Sequence, residues 1–470
     1  MTDLPIYFET KDWIGLLILI PSFILASSIL MTSQRLRELA LFLVITGTVF
    51  AVRLDISVYG AHWYRGTTRG FEITFIDVLA VSLLFSTILI TKGKRFYWPA
   101  SLSPMLLYFF FAVCSVAFIE PRIFGFYELH KMLRGLMFFL LAAFCIRSKR
   151  DLSIVIAALC VAVSIEAIWA LRQRIFLGIE RTPGTLEHAN SLSMYLCMVT
   201  PVLVAAATSG LSHWLRWFCW ITVAAATMGM ALTISRAGIP IFITVVGGAA
   251  IWSISWKPTI TKVTAIAVVI LGFGFLTLQS WDSILERYQE ASFEDEYLDE
   301  ENLGRGYYFR QADVILTDRA FGVGLNNWSY WVSNEYGRQA GQLYHNYAAV
   351  VYDPNEDFID IYRFAAPAHN LGLLTVGELG WAGLALFSIL WLRWFHIGAG
   401  FLKRRVNESA YQIGFGVFVA MIGLFLHSFT EWTYRQAEIF ITFNLLLGML
   451  VAIHHYYKTR DHEDSTVNLN

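Results

Sequence analysis

Residues 190–209, NSLSMYLCMVTPVLVAAATS, decide the fold, because these twenty residues contain no charged side chain. An α-helix needs about 20 predominantly apolar residues to cross the hydrocarbon core of a bilayer. The chain has 470 residues, of which 56% are hydrophobic and 15% charged, whereas roughly 25% of the residues in a soluble domain are charged. We therefore predict an all-α polytopic membrane protein.

Apolar blocks of this kind recur along the chain and predict about thirteen transmembrane helices, within a range of twelve to fourteen. Their approximate positions are 13–31, 38–53, 73–91, 102–119, 130–146, 152–171, 190–209, 215–233, 238–256, 262–280, 371–395, 411–430 and 437–456. This gives N-terminal helices in 1–171, a second helical group in 172–280, a large loop in 281–370, C-terminal helices in 371–456 and a disordered polar tail in 457–470.

The distribution of charge predicts the orientation. Loops after odd-numbered spans are short and basic, which is typical of the cytoplasmic side, and the large loop is strongly acidic. We therefore expect the N-terminus and this loop outside and the C-terminus in the cytoplasm. The outer side nevertheless carries arginines, which indicate either an anionic ligand or contacts with lipid headgroups. They are Arg53, Arg65, Arg69, Arg122, Arg172, Arg174, Arg181 and Arg236.

Two arginine motifs on that side have the chemistry of a phosphate site. RTPGTLEHAN begins at Arg181 and leads into the seventh span, and TISRAGIPI places Arg236 just before a helix that begins near Pro240. A helix N-terminus carries unpaired N–H groups and attracts anions, and arginine adds a forked donor for phosphate oxygens. Arg236 could instead cap a neighbouring helix, and His188 and Asn190 could serve either chemistry or helix capping and packing.

A third motif, APAHNLGLLTVGELGW, places His369 at the start of the eleventh span. In a continuous helix at about 1.5 Å per residue, Glu378 would lie about 13 Å below His369 and could not orient it. The partner of His369 is therefore expected at the outer end of the twelfth span, where Glu431 and Arg435 are the candidates. His345, in LYHNYAAVVY, is a second candidate for the functional histidine.

The sequence predicts no metal site and no cofactor. It contains no HExxH motif and no Cys/His cluster with zinc spacing. Nucleotide-binding motifs of the GxxxxGK[ST] and GxGxxG types are also missing. Nothing indicates nucleic acid as a partner, and the bilayer is the expected environment.

The chain contains, in this order, the motifs RTPGTLEHAN and SRAG, the loop segment RGYYFRQA…FGVGLNNW and the motif AHNLGLLTVGELGWAG. The same order is found in the bacterial O-antigen ligase and O-antigen polymerase superfamily, which this chain resembles over residues 180–390. The resemblance implies a metal-independent GT-C-type glycosyltransferase in the inner membrane with a periplasmic loop. Its donor would be an undecaprenyl-diphosphate-linked glycan, and its acceptor lipid A–core or another glycan.

Carried over motif by motif, the resemblance implies that Arg181, Arg236 and Arg305 bind the donor diphosphate and that His369 is catalytic. Arg310, in the same loop segment as Arg305, is a secondary candidate. A ligase is the favoured interpretation, and a polymerase of O-antigen or exopolysaccharide repeat units is the alternative. A polysaccharide transporter or flippase is the rival of another class, with Asp77 and Glu166 as acids inside spans.

Overall fold

The computed structural model describes residues 10–50, 55–58, 60, 61, 63–91, 97–253, 274, 285, 306–347, 364–402 and 408–467. These residues form a bundle of helices with one short pair of strands. The helices are α1 (Thr10–Thr32), α2 (Gln34–Gly47), α3 (Phe75–Thr91), α4 (Leu102–Phe118), α5 (Arg122–Cys145), α6 (Lys149–Leu177), α7 (Ala189–Thr208), α8 (His213–Thr233), α9 (Gly238–Ser253), α10 (Tyr307–Asp318), α11 (Leu371–Ala399), α12 (Ser409–His427) and α13 (Ala437–Val467).

Twelve of the predicted spans overlap helices of the structure, and the span at 262–280 lies outside the described residues except for Gly274. Within the described ranges, seven helices are long and apolar enough to cross a membrane. They are Trp13–Thr32, Lys149–Leu177, Ala189–Thr208, His213–Thr233, Leu371–Leu402, Ser409–His427 and Ala437–Lys458. α3, α4 and α9 are apolar but shorter. The chain therefore has the helices of a multi-pass membrane protein.

Helix α7 forms the centre of the bundle. It is buried along almost its whole length and packs against α8, α9 and α12. A helix that is apolar all round can be buried on every side, and small residues on its neighbours let the backbones approach closely. At Gly416 of α12, a Cβ atom would lie 3.0 Å from the Pro201 carbonyl oxygen of α7. This packing holds α7 within the bundle, and the N-terminal end of the helix carries Asn190.

A short antiparallel pair of strands adds to the predicted helical architecture. β1 (Asp55–Val58) pairs with β2 (Phe71–Thr74), with Ile56 opposite Ile73. The sequence predicts a third span from residue 73, but α3 begins at Phe75. The β-branched and aromatic residues of FEIT favour a strand, and the carboxylate of Asp77 then accepts hydrogen bonds from the Thr74 amide and hydroxyl at 2.7 and 2.8 Å.

The prediction of a disordered tail is wrong for residues 457–467, because α13 continues to Val467. Extending an existing helix fixes one residue for each new hydrogen bond and needs no new nucleus. The polar composition that suggested disorder is compatible with a helix that begins inside the bundle.

Helix α11 breaks at Gly380, which lies beyond Glu378, so the helix that leads from Leu371 to Glu378 is continuous, as assumed from the sequence. Gly380 has φ 66° and ψ −175°, a conformation that is essentially restricted to glycine. A Cβ at Gly380 would lie 2.4 Å from the Ala320 carbonyl oxygen. The amides of Val323 and Gly324 donate to the carbonyls of Gly377 and Glu378 at 2.9 and 2.8 Å. The loop segment that contains Ala320, Val323 and Gly324 therefore packs directly against the backbone of α11 at the glycines near Glu378.

Candidate functional site

The motifs that the sequence singled out meet at one end of the bundle. Arg181 Nη2 donates to Asn190 Oδ1 at 2.9 Å, and Asn190 Nδ2 donates to Glu431 Oε1 at 2.7 Å. The other carboxylate oxygen of Glu431, Oε2, lies 2.8 Å from His369 Nδ1. A continuous hydrogen-bonded path thus joins Arg181 to His369 through side chains that come from three separate parts of the sequence.

Glu431 is therefore the partner of His369, out of the two candidates at the end of the twelfth predicted span. Its side chain is 5% exposed, while the side chain of His369 is 34% exposed. The carboxylate of an ionised glutamate can only accept hydrogen bonds, so this contact places a proton on Nδ1 and leaves the Nε2 lone pair as the basic site. The Tyr308 ring lies beside the imidazole, with 5.8 Å between ring centroids.

Local backbone contacts explain the position of His369. Asn370 is the N-cap of α11, and its Oδ1 accepts from the Leu373 amide at 3.0 Å, which is the usual role of asparagine at that position. Its Nδ2 donates to the Phe429 carbonyl at 3.1 Å, and the Leu371 amide donates to the Ser428 carbonyl at 2.8 Å. The start of α11 is thereby fixed to the end of α12, next to Glu431.

The RTPG turn is held by buried polar side chains of α6. Gly184 has φ 68°, and its amide and carbonyl both bond the Gln173 side-chain amide, at 2.9 and 2.8 Å. Glu166 accepts from the Thr185 amide at 2.9 Å and from the Thr185 hydroxyl. Glu166 thus helps to build the turn that presents Arg181, whose Nε donates to the Thr233 carbonyl at 3.4 Å.

The SRAG motif adjoins the same path. Ser235 Oγ donates to Asn190 Oδ1 at 3.4 Å and accepts from the Gly238 amide at 3.2 Å, at the start of α9. Ile234 has φ 48°, and a β-branched residue in the left-handed region is a strained conformation. This backbone turn places Arg236, which is half-buried, one residue after Ser235.

Arg435, the other candidate partner of His369, belongs to a different buried cluster. Its guanidinium pairs with Glu128 at 2.6 Å and with Glu378 at 2.8 Å, and Lys131 pairs with Glu128 at 2.8 Å. Burial alone would lower the pKa of Arg435, but the carboxylates of Glu128 and Glu378 raise it overall. Glu378 is therefore an ion-pair partner of Arg435, and the structure does not bring it into contact with His369.

The remaining predicted residues lie apart from this path. His188 occupies the N-cap position of α7, is exposed and makes no side-chain capping bond. His345 is exposed, with its ring centroid 6.0 Å from that of Phe364, and Arg65 donates to the Phe364 carbonyl at 2.7 Å. Two further candidates, Arg69 and Arg310, have exposed side chains, and the Arg305 candidate lies outside the described residues.

Sequence reasoning missed Asn326, which joins the large loop to the bundle. Asn326 has φ 58°, and its side chain accepts from the Thr67 amide at 2.9 Å and donates to the Thr68 and Phe124 carbonyls, both at 2.9 Å. The Tyr64 hydroxyl donates to the Asn326 carbonyl. The GLNNW stretch offered one signal, since asparagine tolerates the left-handed conformation, but its partners lie far away in sequence.

Within the part of the chain that the structure describes, no group of three or more His, Cys, Asp or Glu side chains is arranged to hold a metal ion. The site as described consists of a histidine, a buried carboxylate, an amide and arginines. No protein-family model matches this chain, and no curated protein is detectably similar to it.

Proposed function

We propose that the protein is a membrane glycosyltransferase of the O-antigen ligase type. It would transfer a glycan from an undecaprenyl-diphosphate donor to lipid A–core or a similar acceptor. The single observation that carries the proposal is the path Arg181–Asn190–Glu431–His369, in which a diphosphate-binding candidate and a base candidate share one polar network. The resemblance of the motifs supplies the substrate class.

The proposed reaction is one displacement at the anomeric carbon. The acceptor hydroxyl oxygen forms the new bond to that carbon, and the bond between the carbon and the diphosphate oxygen breaks with its electron pair leaving on the diphosphate. The acceptor proton passes to Nε2 of His369, and the resulting imidazolium is stabilised by Glu431 through Nδ1–H. A single displacement inverts the configuration at the anomeric carbon.

Arg181 and Arg236 have the complementary task in this proposal. Negative charge builds on the diphosphate as the bond breaks, and fixed guanidinium groups stabilise that charge without reorganising. Arg181 is held by Asn190 and by the Thr233 carbonyl, and Ser235, the neighbour of Arg236, contacts the same Asn190. Arg181 and the residue that precedes Arg236 therefore contact the same amide.

The membrane placement follows from the same proposal. The site lies where α7, α9 and α11 begin, so a prenyl chain could remain in the bilayer while its diphosphate reaches the arginines. We propose that this end faces the periplasm and that the opposite end, with Arg35, Arg147 and Arg150, faces the cytoplasm, in accordance with the positive-inside rule.

The test is transfer by the purified protein reconstituted in vesicles with a radiolabelled prenyl-diphosphate glycan and lipid A–core. His369→Ala should abolish labelling of lipid A–core while donor binding persists, because the base does not hold the diphosphate. His345→Ala is the matched control and should retain transfer. Transfer that survives in His369→Ala and is lost in His345→Ala would reverse the assignment of the histidine.

The product of the same assay separates the alternatives. Labelled lipid A–core supports a ligase, and prenyl-linked chains of several repeat units support a polymerase. Movement of the intact donor across the vesicle membrane without a new glycosidic bond would support a transporter and refute the glycosyltransferase proposal.

A further inference from the structure

A second polar site lies at the opposite end of the bundle, in a groove between α2, α6 and α8. The groove has a volume of about 410 Å³, which is within the usual range for small-molecule sites. Its lining residues are Arg35, Glu38, Leu39, Phe42, Arg150, Ser153, Ile154, Ala157, Ser212, Trp214 and Leu215. Arginines and hydroxyls therefore share one groove with aliphatic and aromatic walls.

The polar residues of the groove leave an excess of positive charge. The guanidinium of Arg150 pairs with Glu38, and Gln34 also donates to Glu38 at 3.0 Å. Arg35 is exposed and forms no ion pair within the described residues. Two arginines and one glutamate thus line the groove, and a single additional negative charge would balance them.

The backbone at the mouth of the groove favours the same ligand charge. Ser212 is the N-cap residue of α8 and makes no side-chain capping bond, so it does not satisfy the first amides of that helix. Unpaired amides at a helix N-terminus attract anions. Charge and backbone geometry therefore both favour a phosphate group rather than a cation.

The walls of the groove continue onto surface that is suited to acyl chains. Leu39 and Leu43 on α2 are 52% and 48% exposed, and Trp214 on α8 is 69% exposed. Exposed apolar side chains of this size contact lipid tails in a membrane protein, and tryptophan is enriched at the level of the headgroups. A ligand with a phosphate at one end and a hydrocarbon chain at the other would satisfy both parts of the groove.

We propose that this groove binds an anionic phospholipid of the surrounding membrane. The phosphate lies between Arg35 and Arg150, and an acyl chain lies along Phe42, Ile154 and Ala157 before it leaves past Leu39. Basic pockets between transmembrane helices bind anionic headgroups in this manner. The site lies at the other end of the bundle from His369 and does not depend on the proposed glycosyl transfer.

The test measures retained lipid by native mass spectrometry on the full-length protein. Delipidated protein is equilibrated with vesicles of phosphatidylglycerol or phosphatidylcholine and then re-extracted. Wild-type protein should retain at least about tenfold more phosphatidylglycerol than phosphatidylcholine, as expected for a basic site. The double variant Arg35→Ala, Arg150→Ala should lose at least about tenfold of this retention, and Ala157→Phe, which fills the apolar wall, should lose it as well.

Arg338→Ala is the matched control, because Arg338 is an exposed arginine of the large loop and should leave retention unchanged. Equal retention of the two lipids by wild-type protein would overturn the proposal without any variant. Retention that survives in the double variant, or adducts of inorganic phosphate without acyl chains, would overturn it too. Because glycosyl transfer is not measured, this result is independent of the proposed function.

Discussion

Replacing Glu431 with glutamine tests how His369 is prepared as a base. Arg181 can only donate hydrogen bonds, so Asn190 must turn its oxygen to Arg181 and its NH₂ group to position 431. Glutamine at position 431 would therefore turn its own oxygen to Asn190 and its NH₂ group to His369 Nδ1. Nδ1 would then accept a hydrogen bond, the imidazole proton would move to Nε2, and the base would be blocked.

The size of the effect follows from the contact. The Glu431–His369 hydrogen bond is 2.8 Å long, and the carboxylate is 5% exposed. A hydrogen bond to a charged group contributes about 1.5–3 kcal/mol, which corresponds to a factor of about 10 to 150. General base catalysis accelerates a reaction by about 10²–10⁴-fold, and blocking the base can remove the whole of this acceleration. We expect kcat to fall by about 10³-fold in Glu431→Gln.

The double variant Asn190→Asp, Glu431→Gln provides the decisive comparison. The carboxylate introduced at position 190 accepts from Arg181 with one oxygen and offers its other oxygen to position 431. The glutamine would then turn its NH₂ group to this carboxylate and its oxygen to His369, so that Nδ1 carries the proton again. We expect the double variant to regain about tenfold in kcat over Glu431→Gln, although the charge next to His369 is still missing.

Initial rates of transfer at saturating donor give kcat for each variant. The single variant Asn190→Asp is measured as well, because a change in its KM for the donor would show whether the new carboxylate alters donor binding by Arg181. Transfer of glycan by Glu431→Gln at the wild-type rate would refute this role of Glu431. A double variant that is no faster than Glu431→Gln at saturating donor would refute it too, because the tautomer of His369 would then not matter.

The other predictions concern the arginines and the broken helix. Arg181→Ala and Arg236→Ala should each raise the Kd for a prenyl diphosphate by about tenfold or more, since a hydrogen bond to a charged group contributes about 1.5–3 kcal/mol. Calorimetry measures this Kd. An unchanged Kd in both variants would contradict the proposal that these arginines bind the diphosphate. Gly380→Ala should destabilise the protein by more than about 2 kcal/mol, through a glycine-only conformation and a clash with the Ala320 carbonyl 2.4 Å away. Gly247→Ala, where a Cβ meets nothing within 4 Å, is its control, and equal thermal unfolding midpoints for the two variants would count against the strain at Gly380.

The sequence was sufficient to predict the apolar helices of a multi-pass membrane protein, because local apolar blocks mark them. The break at Gly380 could not be predicted in this way, since its cause is the approach of Ala320 and Val323 from the loop. Glu128 and Arg435 illustrate the same limit. They are charged residues near predicted spans, and only the folded chain brings them within 2.6 Å of each other.

The candidate site was predicted in part. The motifs indicated His369, Arg181 and Arg236, and the distance expected along α11 correctly separated Glu378 from His369, because this helix breaks only beyond Glu378, at Gly380. The choice between Glu431 and Arg435 required the fold, because both residues lie in the same short segment after α12. Whether these residues perform glycosyl transfer stays a prediction.

The break in α11 also has a consequence for biogenesis. The loop segment that contains Val323 and Gly324 is synthesised before α11, yet its amides are satisfied by carbonyls at Gly377 and Glu378. During translation this segment must therefore wait, without its backbone partners, until α11 has been inserted. The partner of His369 arrives later still, after α12. The ribosome thus completes nearly the whole chain before the contact between Glu431 and His369 can form.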